Sequence, residues 1–206
     1  MVLGGKPVNR LAVVKKVAGE FIQGRRGDRV GLVLFGSRAY LQTPLTFDTE
    51  TTAVLLEESE IGLAGRETAI GDAIGLAVKR LREDAASERV LVLLTDGMVD
   101  VSKQAADNRD SRTRVIDELL PRLKGAGIKV HTIALSERAD HDLMQRLAGE
   151  TGGWYQQIAQ ADELQRVFLR MFETVGEPDT VPLQDNRFVV DGSVTEATVL
   201  VFGKPD

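Results

Sequence analysis

The chain contains no cysteine, which excludes disulfide frameworks and thiolate metal sites and says nothing of the compartment. It lacks an excess of either charge. Lys plus Arg number 26 against 31 Asp plus Glu, a formal charge of −5, which argues against a duplex nucleic-acid surface or an anionic-membrane surface. No segment approaches the ~18 consecutive apolar residues of a membrane span, and the N-terminus lacks the basic and apolar regions of a signal peptide. No targeting signal and no membrane insertion are therefore expected of this sequence, and no repeat or low-complexity tract interrupts it. Two catalytic loops are missing as well. The loop from Gly65 to Gly71 has no lysine to meet phosphates, and Phe35, Gly36, Ser37, Arg38 and Ala39 lack the second glycine of an esterase elbow.

What is present suits a globular domain with an appendage: 206 residues, 43% of them apolar and 28% charged. Apolar residues at helical spacing (Leu11, Val14, Ala18, Phe21) predict a first helix over residues 7–23. A strand over 29–35 turns through Gly36, Ser37 and Arg38 into an antiparallel strand over 39–46, and a short helix covers 48–58. Ile70, Ile74, Ala77, Val78 and Leu81 form the stripe of the next helix. Val90, Leu91, Val92, Leu93 and Leu94 then read as a strand buried on both faces. Residues 98–110 are polar and predict a loop, and Val115, Ile116, Leu119, Leu120 and Leu123 mark a helix ending at Gly125. A strand over 128–135, a helix over 140–148, a strand over 154–158 and a helix carrying Leu164, Val167, Phe168, Met171 and Phe172 follow. Strands alternating with helices imply an α/β fold of three layers, with a mainly parallel sheet covered on both faces.

Composition shifts after residue 175. A linker over 176–186 leads to strand-like runs at 187–190 and 197–202, joined by a turn at Asp191, Gly192 and Ser193. The expected organisation is an α/β domain over 1–175, the linker, and the start of a β-rich segment over 187–206. Two strands alone do not make a stable domain.

Thr95, Asp96 and Gly97 stand where the buried strand ends, the place where open α/β sheets put their sites. Upstream, Gly65, Arg66, Glu67, Thr68, Ala69 and Ile70 form a loop running into an amphipathic helix. Together these segments resemble the von Willebrand factor type A domain over roughly residues 4–175. From Gly5 to the Thr68 loop the sequence looks like the aerotolerance-operon group of that family, and from Asp96 onward like its secreted group. The resemblance implies a metal-ion-dependent adhesion site that takes Thr68 directly and Asp96 through water. The family's aspartate-x-serine-x-serine motif, at the end of a central first strand, is absent from this sequence. The expectation is an N-terminally truncated domain whose magnesium site is incomplete, with metal binding weak or absent, because magnesium requires about six oxygen ligands. The resemblance further implies that the full-length protein is membrane-anchored, periplasmic or secreted, and that a completed site would bind another protein through an acidic residue.

Other readings of the same residues stand beside this one. Thr68 suits a helix N-cap with Asp72 in the first turn, and Asp96 with Gly97 suits a plain turn. Arg26, Gly27 and Asp28 spell an integrin-recognition tripeptide at a position where a turn is needed. His131 and His141 have no second ligand at metal spacing and read as structural. The function expected is a non-enzymatic adhesion-type interaction domain. The alternatives are an inert structural fragment and a metal-dependent hydrolase using Asp96. In the family's strand order the missing strand lies between 29–35 and 90–94. The segment 197–202 is the candidate within the chain to take its place, and a strand donated by a second copy, giving a homo-oligomer by strand exchange, is the other.

Overall fold

The computed structural model describes residues 2–3, 6–7, 9–25, 27–82 and 88–174, with residues 2, 3, 6, 7, 161, 162, 169 and 171–174 as backbone alone. Strand β1 (Val2–Leu3) pairs antiparallel with β2 (Lys6–Pro7). The first helix therefore starts later than its apolar spacing predicts. It is α1, Arg10–Gln23, opened by the Asn9 side chain, which accepts the Leu11 amide at 2.9 Å. Strand β3 (Val30–Phe35) and the antiparallel β4 (Ala39–Thr46) follow, then α2 (Thr49–Glu57), capped by Asp48 on the Thr51 amide at 2.9 Å. Next come α3 (Ile70–Arg82) and β5 (Arg89–Thr95).

The segment expected to be a loop through residue 110 becomes helical at Ala105. Helix α4 (Ala105–Arg114) buries none of its residues, so no apolar period announces it. A π-helical turn (Val115–Leu119) and α5 (Leu120–Gly125) continue it. Strand β6 (Ile128–Ala134), α6 (His141–Thr151), β7 (Tyr155–Gln157) and α7 (Ala161–Thr174) complete the described chain. Strands β5, β6 and β7 form one parallel sheet, with Val92 beside His131 and Thr132 beside Tyr155.

Helices cover both faces of that sheet. On one, Val17 of α1 and Leu164 and Phe168 of α7 pack with Ile133, Val92 and Leu94. On the other, Ile70, Ile74 and Val78 of α3 pack with Leu119, Leu123, Leu93 and Val130, joined by Leu143 and Leu147 of α6. Burying such side chains at about 1.5–3 kcal/mol each is what holds the layers together. Gly153 sits directly under β6, where an added Cβ would collide with the Val130 carbonyl. Both histidines are engaged by contacts within the fold. His131 is 2% exposed, stacks on Trp154 at 4.7 Å and accepts the Trp154 amide at Nδ1, 3.2 Å away. His141 meets the Tyr155 hydroxyl at 2.6 Å. In the tripeptide Arg26, Gly27 and Asp28, the Asp28 carboxylate is ion-paired with Arg25. It is engaged within the chain at the turn before β3.

Among the described residues no hydrogen bond joins the β3–β4 hairpin to the parallel sheet. Yet both lie under the same helices. Ala18 and Phe21 of α1 join Val30 and Leu32 around Ile22, Ala53 and Leu56, while Val13, Val14 and Val17 of that helix belong with Val92 and Leu94 to the cluster around Ile133 and Leu164. On the opposite face, the core around Ile70, Ile74 and Leu93 also takes in Phe35. The break falls between β3 and β5, where the strand order implied by the resemblance puts the missing strand. The linker over 176–186 and the strand-like runs at 187–190 and 197–202 lie outside the described residues.

Candidate functional site

The site grows from the carboxyl end of β5. The Thr95 carbonyl accepts the Leu135 amide at 2.8 Å, so the β5–β6 pairing runs to the last residue of the strand. Asp96 then leaves the sheet. Its carbonyl is held by the Ser136 hydroxyl at 2.5 Å, and its carboxylate, 58% exposed, faces outward. The first residue of α1 comes to meet it: Arg10 Nη1 lies 3.1 Å from Asp96 Oδ2. Because the Asn9 cap fixes where α1 begins, it also fixes where this guanidinium stands.

Thr68 is brought to the same place from the other side. It pairs with Asp100 as a short antiparallel bridge, the Thr68 amide donating to the Asp100 carbonyl at 2.5 Å and the Asp100 amide returning a bond at 3.2 Å. The Ala69 amide donates to the Gly36 carbonyl at 2.8 Å, tying this loop to the end of β3. Gly36 has no room for a side chain, because a Cβ there would stand 2.6 Å from the Gly65 carbonyl oxygen. Gly97 performs a similar service for Thr68, whose Oγ1 would be 3.2 Å from a Cβ at position 97. Thr68 is not the N-cap of the following helix. Helix α3 starts at Ile70, two residues on, and the Thr68 hydroxyl makes no hydrogen bond among the described residues. The backbone bridge to Asp100, which no local pattern announces, moves the helix start past it.

Three residues that shape this region carried no signal as site residues. Arg10 looks like any basic residue at a helix start. Ser136 is isolated in sequence. Asn108 sits in the polar stretch expected to be a loop, yet its side chain accepts the Val101 and Ser102 amides at 2.7 and 3.0 Å and donates to the Ser102 carbonyl at 3.0 Å. It also donates to Asp100 Oδ1 at 3.3 Å. One asparagine thus folds the loop that carries Asp100 and so supports the bridge to Thr68. Exposed apolar side chains flank the site along the chain: Met98 (54% exposed) beyond Gly97, and Ile61 and Leu63 (77% and 58%) in the loop leading to Thr68.

The residues present do not fit a divalent cation. Among the described residues no group of three or more His, Cys, Asp or Glu side chains could hold one, and the Asp96 carboxylate already carries the Arg10 guanidinium. A divalent cation at Asp96 Oδ2 would compete with that guanidinium.

The model of the von Willebrand factor type A domain matches residues 6–169. A protein of Borreliella burgdorferi is 29% identical over 148 residues, covering 72% of this chain and 40% of that protein, so this chain spans well under half the length of that relative. Among solved structures, an aerotolerance-related membrane protein from Bacteroides fragilis is similar with a TM-score of 0.61 and 22% identity, covering 81% of this chain and 89% of that one. Proximal thread matrix protein 1 of the mussel byssus, with a zinc-occupied MIDAS motif, is similar with a TM-score of 0.56 and 17% identity, covering 79% of this chain and 42% of that one.

Proposed function

Because the chain belongs to the von Willebrand factor type A domain family, whose members generally mediate protein–protein interaction or adhesion, we propose that it is a non-enzymatic recognition domain, spanning 1–175, of a larger envelope-associated bacterial protein. Its contact face is the one that carries Thr68, Asp96 and Arg10. The observation that carries this reading is the exposed Asp96 carboxylate at the end of β5, held by Arg10, with exposed Met98, Ile61 and Leu63 nearby along the chain. Exposed apolar groups around a charged centre are the usual make-up of a recognition surface. In the family's site a divalent metal bound by groups such as Thr68 and Asp96 is shared with an acidic residue of the partner. Here the cation beside Asp96 is the Arg10 guanidinium. An acidic group of the partner protein meets that fork directly, with planar donors suited to a carboxylate. The kinship with an aerotolerance-related membrane protein supports the envelope setting.

Two measurements test the proposal. Magnesium or manganese titrated calorimetrically into the chain should bind more weakly than ~1 mM, since affinity depends on ligand number and preorganisation. Micromolar binding that vanishes in Asp96→Ala would overturn the metal-free site. A photoreactive residue at position 98 should capture a discrete partner from bacterial envelope preparations, unaffected by chelator and lost in Arg10→Gln. Capture indifferent to Arg10→Gln, or no discrete adduct, would overturn the recognition face.

A further inference from the structure

Helix α3 and the helix made of the π-helical turn and α5 lie side by side and run the same way. Gly71 stands beside Val115 and Gly75 beside Leu119, where an added Cβ would come within 3.3 and 3.9 Å of the facing side chain. These glycines lie one turn apart on α3 and allow the two helices to approach closely. Beyond Gly75 the facing positions hold long side chains. A groove of about 510 Å³ opens there, lined by Gly75, Val78, Lys79 and Arg82 of α3 and by Leu119 and Arg122 opposite. It lies away from the Asp96 face. Helix α3 ends at Arg82 and α5 at Gly125, just before Arg89 and Ile128, which pair at the amino end of the sheet. Asp96 emerges at the carboxyl end.

The groove has an apolar floor and a cationic rim. Val78 and Leu119 are buried beneath it, while Lys79, Arg82 and Arg122 are exposed, and among the described residues no acidic side chain lines it. Basic residues in the last turn of a helix complement its dipole, which accounts for each of the three singly. It does not account for three of them around one groove without an acid. Their neighbours are engaged: Lys124 pairs with Glu150 at 3.1 Å, and Arg89 Nη1 donates to the Ala126 carbonyl at 2.9 Å. The side chains of Lys79, Arg82 and Arg122 make no ion pair or hydrogen bond among the described residues. Glu118, one turn before Arg122, pairs with Arg114 at 3.8 Å, and Asp72, the only acid of α3, pairs with the same arginine at 3.4 Å. Like charges gathered in this way repel one another until an anion enters.

We infer that this groove is a second docking site, for an acidic segment of a partner protein. The segment sets an aliphatic side chain between the helices, over Val78 and Leu119, and carboxylates against Lys79, Arg82 and Arg122. The layout of the cations carries the choice. Lys79 and Arg82 are about 4.5 Å apart along the helix axis at 1.5 Å per residue, and Arg122 faces them from the other helix. Cations strung along a groove match carboxylates strung along a chain, whereas a single phosphate calls for donors that converge on one point. The arginine fork suits a carboxylate. An anionic bilayer is the poorer match, because the chain carries a formal charge of −5 and the groove is concave where a bilayer is flat.

Fluorescence anisotropy of a labelled peptide that alternates glutamate with leucine, titrated with the full chain, tests this. The peptide should bind, and its counterpart with glutamine for glutamate should bind about tenfold more weakly or worse. Changing Lys79, Arg82 and Arg122 together to glutamine should weaken binding by about tenfold or more. The same change at Lys16, Lys103 and Arg109, which are exposed elsewhere, should leave it within about twofold. Gly75→Leu keeps every charge and fills the groove, so it too should weaken binding by about tenfold. Thermal unfolding of each variant checks its fold, and the glutamine changes touch only exposed side chains, so the test stands even if Gly75→Leu does not fold. Arg10 is intact in every variant, which keeps the Asp96 face a separate question. Absence of binding by the acidic peptide overturns the inference. So does equal weakening by the two triple variants, which would mean general charge attraction. Binding of phosphatidylglycerol vesicles through Lys79, Arg82 and Arg122 in place of the peptide overturns it as well.

Discussion

Replacing Arg112 with methionine is expected to lower the free energy of unfolding by about 3 kcal/mol, read as a shift of the denaturant midpoint at constant slope. The Asp140 side chain is 4% exposed, and its carboxylate is gripped side-on by Arg112, Nε to Oδ2 at 2.7 Å and Nη2 to Oδ1 at 3.2 Å. It also caps α6 by accepting the Leu143 amide at 3.1 Å. That hydrogen bond to Asp140 is the main reason the Arg112 guanidinium holds its proton more tightly than usual. Breaking a buried pair by removing one partner costs about 3–5 kcal/mol, since it leaves a charge in an apolar setting. The lower end applies here because Arg112 keeps 33% of its side chain in water. Adding Asp140→Asn to the methionine variant removes the stranded charge and keeps an acceptor for the cap, so it should restore part of the loss. A cost below about 1 kcal/mol for Arg112→Met would show that the carboxylate finds water or another donor when the arginine leaves.

Acidification is expected to destabilise the chain through His131. Burial is the main cause of its lowered pKa, about 4 against an ordinary 6.5, helped by the nearby Lys129 charge and opposed by Glu88. Between pH 6.5 and 4 the unfolded state therefore binds a proton that the folded state refuses. The stability contributed by neutral His131 is complete above pH 6.5 and is lost as pH falls toward 4, at most ~3 kcal/mol at about 1.4 kcal/mol per pH unit. With Nδ1 accepting the Trp154 amide, neutral His131 carries its proton on Nε2, which meets no acceptor among the described residues, and the added proton goes to Nδ1, where it breaks the bond from Trp154. Carboxylates also titrate in this range, so the informative quantity is a difference: His131→Gln should show a shallower fall in stability between pH 6.5 and 4 than the native chain. Identical pH profiles for the two would remove His131 from the account.

The α/β alternation, the antiparallel hairpin and the parallel strands were legible because their apolar residues repeat at the periods of helix and strand. Ile74, Val78 and Leu123 are buried where the helical stripes put them, and Leu93 and Ile133 where the strand runs do. Helix α4 was not legible, because it buries nothing and so leaves no periodic trace. Nor was the later start of α1, which depends on a single side-chain bond from Asn9. At the site, Asp96 is legible from its place at the end of an apolar run, whereas Thr68 is singled out only by the family resemblance, since its position before an amphipathic helix equally suits a cap. Their setting is not legible, because Arg10 and Asp96 are separated by 86 positions and Asn108 acts on its own loop only once that loop is folded.

The sequence by itself determined the layered α/β architecture and the strand end at which Asp96 emerges. Each of these follows from local composition and periodicity, which record how much of a segment faces solvent. Only the tertiary structure decided that Asp96 is met by a guanidinium, that Thr68 is fastened to Asp100 instead of capping α3, and that Asp140 depends on Arg112. Those are contacts between groups far apart in the chain. Their free energies depend on distance and burial, and neither is set until the helices have closed over the sheet.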